Sequence, residues 1–206
     1  MPPVSGVVKH LLVINILMFI GANLVLKEHS GTLAMHWPFS SFFQPYQVVT
    51  HMFMHANFMH LLFNMFGLYM FGSALEYAWG PKKFLFYYLF SGFGALLIHL
   101  IVWYIDVSTL SEIEYQLFLT RPYSVLGASG AVFGLLMGFG YTFPNTRIML
   151  LFPPIPMKAK YFVLIFAGLE LFLGFRGAES GVAHFAHVGG AFSGLILLLY
   201  WRYKGR

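Results

Sequence analysis

Val125–Phe143 reads VLGASGAVFGLLMGFGYTF, a run without one charged side chain. About 20 mostly apolar residues is the length of a helix that crosses the hydrocarbon of a bilayer. Gly130, Gly134 and Gly138 recur every fourth residue, so they share one helix face that a second helix can approach closely. Ser129 sits between Gly127 and Gly130. A polar group in hydrocarbon costs several kcal/mol unless it is satisfied, which makes this hydroxyl a functional candidate. The same pattern returns at Ala186-His187-Val188-Gly189-Gly190, with Gly190 and Gly194 again four apart. A hydroxyl and an imidazole, each in a glycine-rich apolar segment, suggest a nucleophile and its base inside a membrane protein.

The rest of the chain agrees with that solvent. Of 206 residues 59% are hydrophobic and 9% charged, where soluble domains carry about 25% charged. No polar region is long enough for a soluble domain, so the expectation is one integral membrane domain over residues 1–206. Six spans are predicted, at Val7–Leu26, Phe58–Tyr77, Phe84–Ile105, Val125–Phe143, Ala159–Phe175 and Val182–Trp201, which gives an all-α six-transmembrane-helix bundle. The first carries Asn15 and Asn23 and no cleavage-like site, so it is expected to be a retained span and not a signal peptide. With both termini inside, nine basic residues fall in cytoplasmic segments and three (Lys27, Arg121, Arg176) in outer loops. The positive-inside bias therefore accounts for the net charge of +5 as orientation, with no nucleic-acid partner expected. The absence of cysteine excludes disulfides and thiol nucleophiles.

That orientation puts Ser129 four residues into the fourth span and His187 five residues into the sixth, both entered from outside. At about 1.5 Å per residue they lie at similar depth, roughly 6–8 Å along their helices. A helix N-terminus at Ser129 would offer unpaired N–H groups to a developing negative charge. The second span adds His60 and Asn64, four apart on one face and both able to donate hydrogen bonds. His55, five residues before His60, is read as a loop-ordering group facing elsewhere.

Three ordered motifs now stand out: His51-Met-Phe-Met-His55 with His60 and Asn64, then Gly127-Ala-Ser129-Gly130, then Ala186-His187-Val-Gly189-Gly190. Together they resemble the rhomboid intramembrane serine proteases in their compact bacterial six-helix form, over nearly the whole chain. The resemblance implies Ser129 as nucleophile and His187 as general base, with His60, Asn64 and the Ser129 backbone N–H as oxyanion donors. It implies Phe133 packed against the His187 ring. Gly127 and Gly130, by relieving crowding beside the serine, and His55, by ordering the loop, are expected in support, with neither cofactor nor metal. Substrates would be single-span membrane proteins cleaved in their transmembrane segments, in a bacterial inner membrane. The soluble cytoplasmic domain of some relatives is expected to be absent. The Trp-Arg pair that some members carry before the histidine cluster is Tyr46-Gln47 here, which bears on how the preceding loop is anchored.

Plainer readings compete with each residue. Ser129 alone is more readily a packing serine, and His187 alone an interhelical hydrogen-bonder; only the combination favours chemistry. His51 and His55 have metal-ligand spacing, yet no His-Glu-x-x-His motif exists. His184 reads as a loop-end residue near water, and His10, His29, His36 and His99 as interfacial or packing groups. Glu76 reads as a brace at the inner end of the second span. Glu170, mid-way along the fifth span, fits a proton path or a structural hydrogen bond equally. No acidic residue lies near His187 within its own span, so a dyad is expected, over a water cavity between spans two, four, five and six and capped by Arg176–Gly181. The competing function class is non-enzymatic: an inactive rhomboid-like binder of transmembrane segments, or a small His-lined transporter.

Overall fold

A computed structural model describes residues 6–26, 31–149, 155–176 and 184–205. Helix α1 (Gly6–Gly21) runs into a π turn and is followed by strand β1 (Met35–His36) and a short helix α2 (Gln47–Thr50). Helix α3 (Phe58–Gly67) continues through a second π turn into α4 (Ser73–Trp79), and α5 (Pro81–Ser108) returns alongside. Then come α6 (Glu112–Leu119), β2 (Ser124–Val125) and α7 (Ser129–Thr142). A hairpin of β3 (Arg147–Met149) and β4 (Pro156–Lys158) leads to α8 (Ala159–Phe175), and α9 (His184–Tyr203) ends the fold.

Among the described residues four helical stretches are long and apolar enough to cross a membrane: Gly6–Val25, Phe58–Trp79, Pro81–Ser108 and His184–Tyr203. The chain is thus a helical integral membrane protein. The remaining two predicted spans correspond to α7 and α8, of 14 and 17 residues. The fourth predicted span begins later than expected. Val125 is not helical but pairs with Met35 in a two-stranded ladder, and Gly127 takes φ +126°, outside the helical region. Helix α7 therefore starts at Ser129 itself.

Local chemistry fixes the helix ends. Gly80 (φ +82°) ends α4, and Pro81 at the first position starts α5. Ser111 and Glu114 form a reciprocal capping box on α6. The buried Glu76 accepts the backbone N–H groups of Val7 and Val8 at 2.7 and 2.8 Å, so it holds the start of α1 against α4. A carboxylate at a helix N-terminus satisfies donors that have no intrahelical partner. The expected brace is an inter-helix clamp.

The core sits where α5, α7 and α9 meet. A side chain at Gly190 would run into the Gly130 carbonyl, so the two backbones touch. The two glycine stripes do not face each other along their whole length, however. Gly134 packs against Ser91 of α5 as well as Gly190, while Gly138 lies under Trp79 and Tyr87, and Gly194 under Tyr87. The Tyr87 hydroxyl donates to the Gly134 carbonyl at 2.8 Å. Small residues on three helices, rather than two, permit the close approach.

Candidate active site

The Ser129 hydroxyl lies 2.8 Å from His187 Nε2, although the residues are 58 positions apart. Two local features place the serine. Its position at the start of α7 leaves its backbone N–H without an intrahelical acceptor. The Gly127 N–H donates to the His51 carbonyl at 2.8 Å, which ties the turn before Ser129 to the approach of α3. The imidazole is placed by packing: Phe133, one turn after Ser129, stacks on the His187 ring at 4.4 Å with only 5° between planes.

Helix α3 brings the second pair. Asn57 caps it, its side chain accepting the His60 N–H at 2.9 Å, which fixes His60 on the first turn. A Cβ at Gly127 would stand 2.9 Å from His60 Nε2 and 3.5 Å from Ser129 Oγ. Glycine leaves that point free, and it is where an oxygen bonded to a carbon under attack by Ser129 would need a donor. The buried Asn64 spends one amide hydrogen on the His60 carbonyl at 2.8 Å, and the other remains available. His55 does not face elsewhere: its ring stands edge-on to His60 at 5.2 Å. Burial, with His60 alongside, lowers its pKa from 6.5 to about 4, and burial also lowers that of His51. Both are neutral at pH 7.

Apart from His55, these groups line a cavity of about 600 Å³. Its walls come from α3, α7 and α9 as expected, but the remaining helical wall is α5, through Gly92, Ala95 and His99, and not α8. The small residues that let α5 approach α7 also let it reach the cavity. The cap expected at Arg176–Gly181 lies, beyond Arg176, outside the described residues.

Helix α8 contributes something the sequence reading missed. Its Glu170 Oε2 accepts from His184 Nδ1 at 2.7 Å and stands 3.0 Å from His187 Nδ1, where the ring N–H direction falls short of hydrogen-bond geometry. His184 opens α9, as a loop-end residue would, but it is buried and not near water. The three ligand-type atoms lie within 4.8 Å of one another. The 2.7 Å separation is that of a shared proton, since two tetrahedral zinc ligands at about 2.0–2.1 Å from the ion stand roughly 3.3 Å apart.

The anchoring that Tyr46-Gln47 left open rests on Gln47. Fully buried, it donates to the carbonyls of Thr32 and Phe42, both at 2.9 Å, and accepts the His36 N–H at 3.2 Å. Thr50 adds a bond to the Leu33 carbonyl at 2.7 Å. The loop before the histidine cluster is thereby sewn onto α2.

The chain as a whole is similar to known proteins. Residues 43–204 match the family model described as the Rhomboid domain. The chain is 30% identical to the Rhomboid protease AarA of Providencia stuartii over 155 residues, covering 71% of this chain and 52% of that protein. It is 30% identical to the Rhomboid protease GluP of Bacillus subtilis (strain 168) over 149 residues, 72% of this chain and 24% of that one. Against Rhomboid protein 1, mitochondrial, of Saccharomyces cerevisiae it is 36% identical over 104 residues, 50% and 27% of the two chains. It thus spans about half or less of the length of these relatives. With the domain model matched over most of its length, the chain belongs to the rhomboid family.

Proposed function

We propose that this chain is an intramembrane serine endopeptidase, one domain of six spans that cleaves transmembrane segments of membrane proteins. The observation that carries the reading is the 2.8 Å contact between Ser129 Oγ and His187 Nε2 on a cavity wall. Ser129 attacks a peptide carbonyl as its proton passes to His187 Nε2. The oxyanion is held by the Ser129 N–H, His60 Nε2 and Asn64 Nδ2; His187 then protonates the leaving amine, and water hydrolyses the acyl-enzyme. His55 keeps its ring against His60, and Gly127 and Gly130 give the substrate and Ala95 of α5 their room.

Helices α7 and α8 supply the two further spans, with the hairpin Arg147–Lys158 and both termini on the cytoplasmic side, as loop charge favours. Residence in a bacterial inner membrane fits the two bacterial relatives. Substrates are single-span proteins whose helix unwinds near its outer end, because a peptide carbonyl inside an intact helix is already bonded. Small or helix-breaking residues near the cleavage point lower that cost.

A fluorophosphonate probe tests the nucleophile without a substrate. The account expects covalent labelling that peptide mapping places on Ser129, with none in Ser129→Ala or His187→Ala protein that is otherwise folded. An unlabelled wild type, or a label elsewhere, would return the chain to the non-enzymatic class.

A further inference from the structure

A neutral imidazole carries one proton, and His187 can accept the Ser129 proton at Nε2 only if its own proton sits on Nδ1. Ring stacking by Phe133 fixes the plane of the imidazole but does not distinguish its two nitrogens. The group that does is on the neighbouring helix. Glu170 Oε2 stands 3.0 Å from Nδ1, and the side chains of Glu170 and His187 are only 13% and 12% exposed, so water screens the contact little. His184 Nδ1 donates to the same oxygen at 2.7 Å and holds the carboxylate in place.

We propose that Glu170 is a positioning residue for His187, a carboxylate supplied from α8 that keeps the imidazole proton on Nδ1 and faces the imidazolium formed during attack. As the Ser129 proton moves to Nε2, the ring becomes positive with its Nδ1 proton toward Oε2. Glu170 stays ionised throughout, as does the acid of the Ser-His-Asp template. The contact also makes the readiness of the base depend on where α8 stands. Below its first turns α8 buries no side chain completely, and Val163 is the last that it does.

The proposal rests on the Ser129–His187 reading, and its test separates the two. Glu170→Gln keeps the size of the side chain and an oxygen for His184, but removes the charge. Turnover should fall about a hundred-fold with KM within about two-fold of wild type, short of the roughly 10⁴-fold of the template because Oε2 is shared with His184 and off the ring axis. Fluorophosphonate labelling of Ser129, which needs no transmembrane substrate to enter, should slow by a similar factor. Glu170→Asp, which restores the charge, should recover part of both. A purely structural role would leave Gln close to wild type and make Asp, with its shorter reach, the worse variant; that ordering would overturn the proposal. Independently of any variant, ¹⁵N-histidine NMR of the wild type should show neutral His187 protonated on Nδ1, and a proton on Nε2 would overturn it too. Full turnover in Glu170→Gln with a dead Ser129→Ala removes the positioning role alone; cleavage by Ser129→Ala removes the reading beneath it.

Discussion

Helices α7 and α8 differ in how they are held, and the difference separates the scaffold of the site from its adjustable edge. Helix α7 buries residues along its whole length, from Gly130 and Ala131 through Gly134 and Leu135 to Phe139 and Gly140. Helix α8 fully buries only Ala159 and Val163, next to the β3–β4 hairpin, and leaves Leu164, Ile165, Phe172 and Phe175 outward. Its distal half meets α9 through Glu170 and His184 and through Phe175 against Phe185. Ser129 on α7 and His187 on α9 thus ride on backbones in contact, while α8 is joined to the site by polar and edge contacts. Precision of the Ser–His distance needs the first arrangement.

Glycine substitutions should break the comparison most sharply. In Gly190→Leu the new side chain meets the Gly130 carbonyl, whereas around a Cβ at Gly168 of α8 nothing stands within 4 Å. Gly190→Leu should lose folded yield and activity together, while Gly168→Leu keeps both, as read by detergent-solubilised yield, thermal midpoint and cleavage. Equal damage from the two would erase the distinction between α7 and α8. Next in size come the donors on α3. His60→Ala or Asn64→Ala should lower turnover about ten- to a thousand-fold, mainly in kcat, since one oxyanion donor is worth up to about 4 kcal/mol. A change in KM alone would make the residue a substrate contact instead.

A smaller effect belongs to the clamp on the opposite end. Glu76→Ala removes two charge-assisted bonds to Val7 and Val8 and should cost about 2–4 kcal/mol of stability, leaving kcat per folded molecule unchanged. A fall in kcat at full stability would mean that α1 bears on the site. Smaller still is the pH response of the loop beside α3. The folded pKa of His55 is about 4 against 6.5 unperturbed, and that of His51 is lowered as well. Below pH 6.5 the unfolded chain therefore binds protons first. The stability that the His55 ring contributes is whole above pH 6.5 and is lost progressively as pH falls toward 4, and His51 acts in the same direction. His55→Phe should flatten the decline of the thermal midpoint over that window; an unchanged slope would show that His55 titrates normally.

Much of this was legible in the sequence because motif and geometry share a local cause. Glycine beside Ser129 and His187 is what allows two backbones to touch, so the motifs carried the helix contact with them. Asn64 one turn after His60 follows from helical periodicity, while Phe133 against the His187 ring was implied by the family resemblance. What escaped depended on contacts that no period encodes. Glu170 meets His184 and His187 only because α8 packs against α9 at one particular rotation, and a carboxylate 17 residues before the histidine it faces has no sequence signature. The start of α7 was set by a two-residue ladder with Met35–His36, whose partners lie 90 positions apart in the pair Met35 and Val125. The α5 wall of the cavity was hidden because Gly92 and Ala95 look like ordinary packing residues. Gln47 could have been found only in part: the aromatic stretch before the histidine cluster holds two amides, Gln44 and Gln47, and the sequence does not say which is buried and must satisfy its donors and acceptor.

The central claim, that Ser129 and His187 act as nucleophile and base within the membrane, is tested most directly by cleavage of a single-span substrate by purified protein. Wild type and Ser129→Ala would be compared at matched folded concentration, with product followed by mass. The wild type should make one cut within the transmembrane segment, and Ser129→Ala should give no product above background. Undiminished cleavage by Ser129→Ala would contradict the claim.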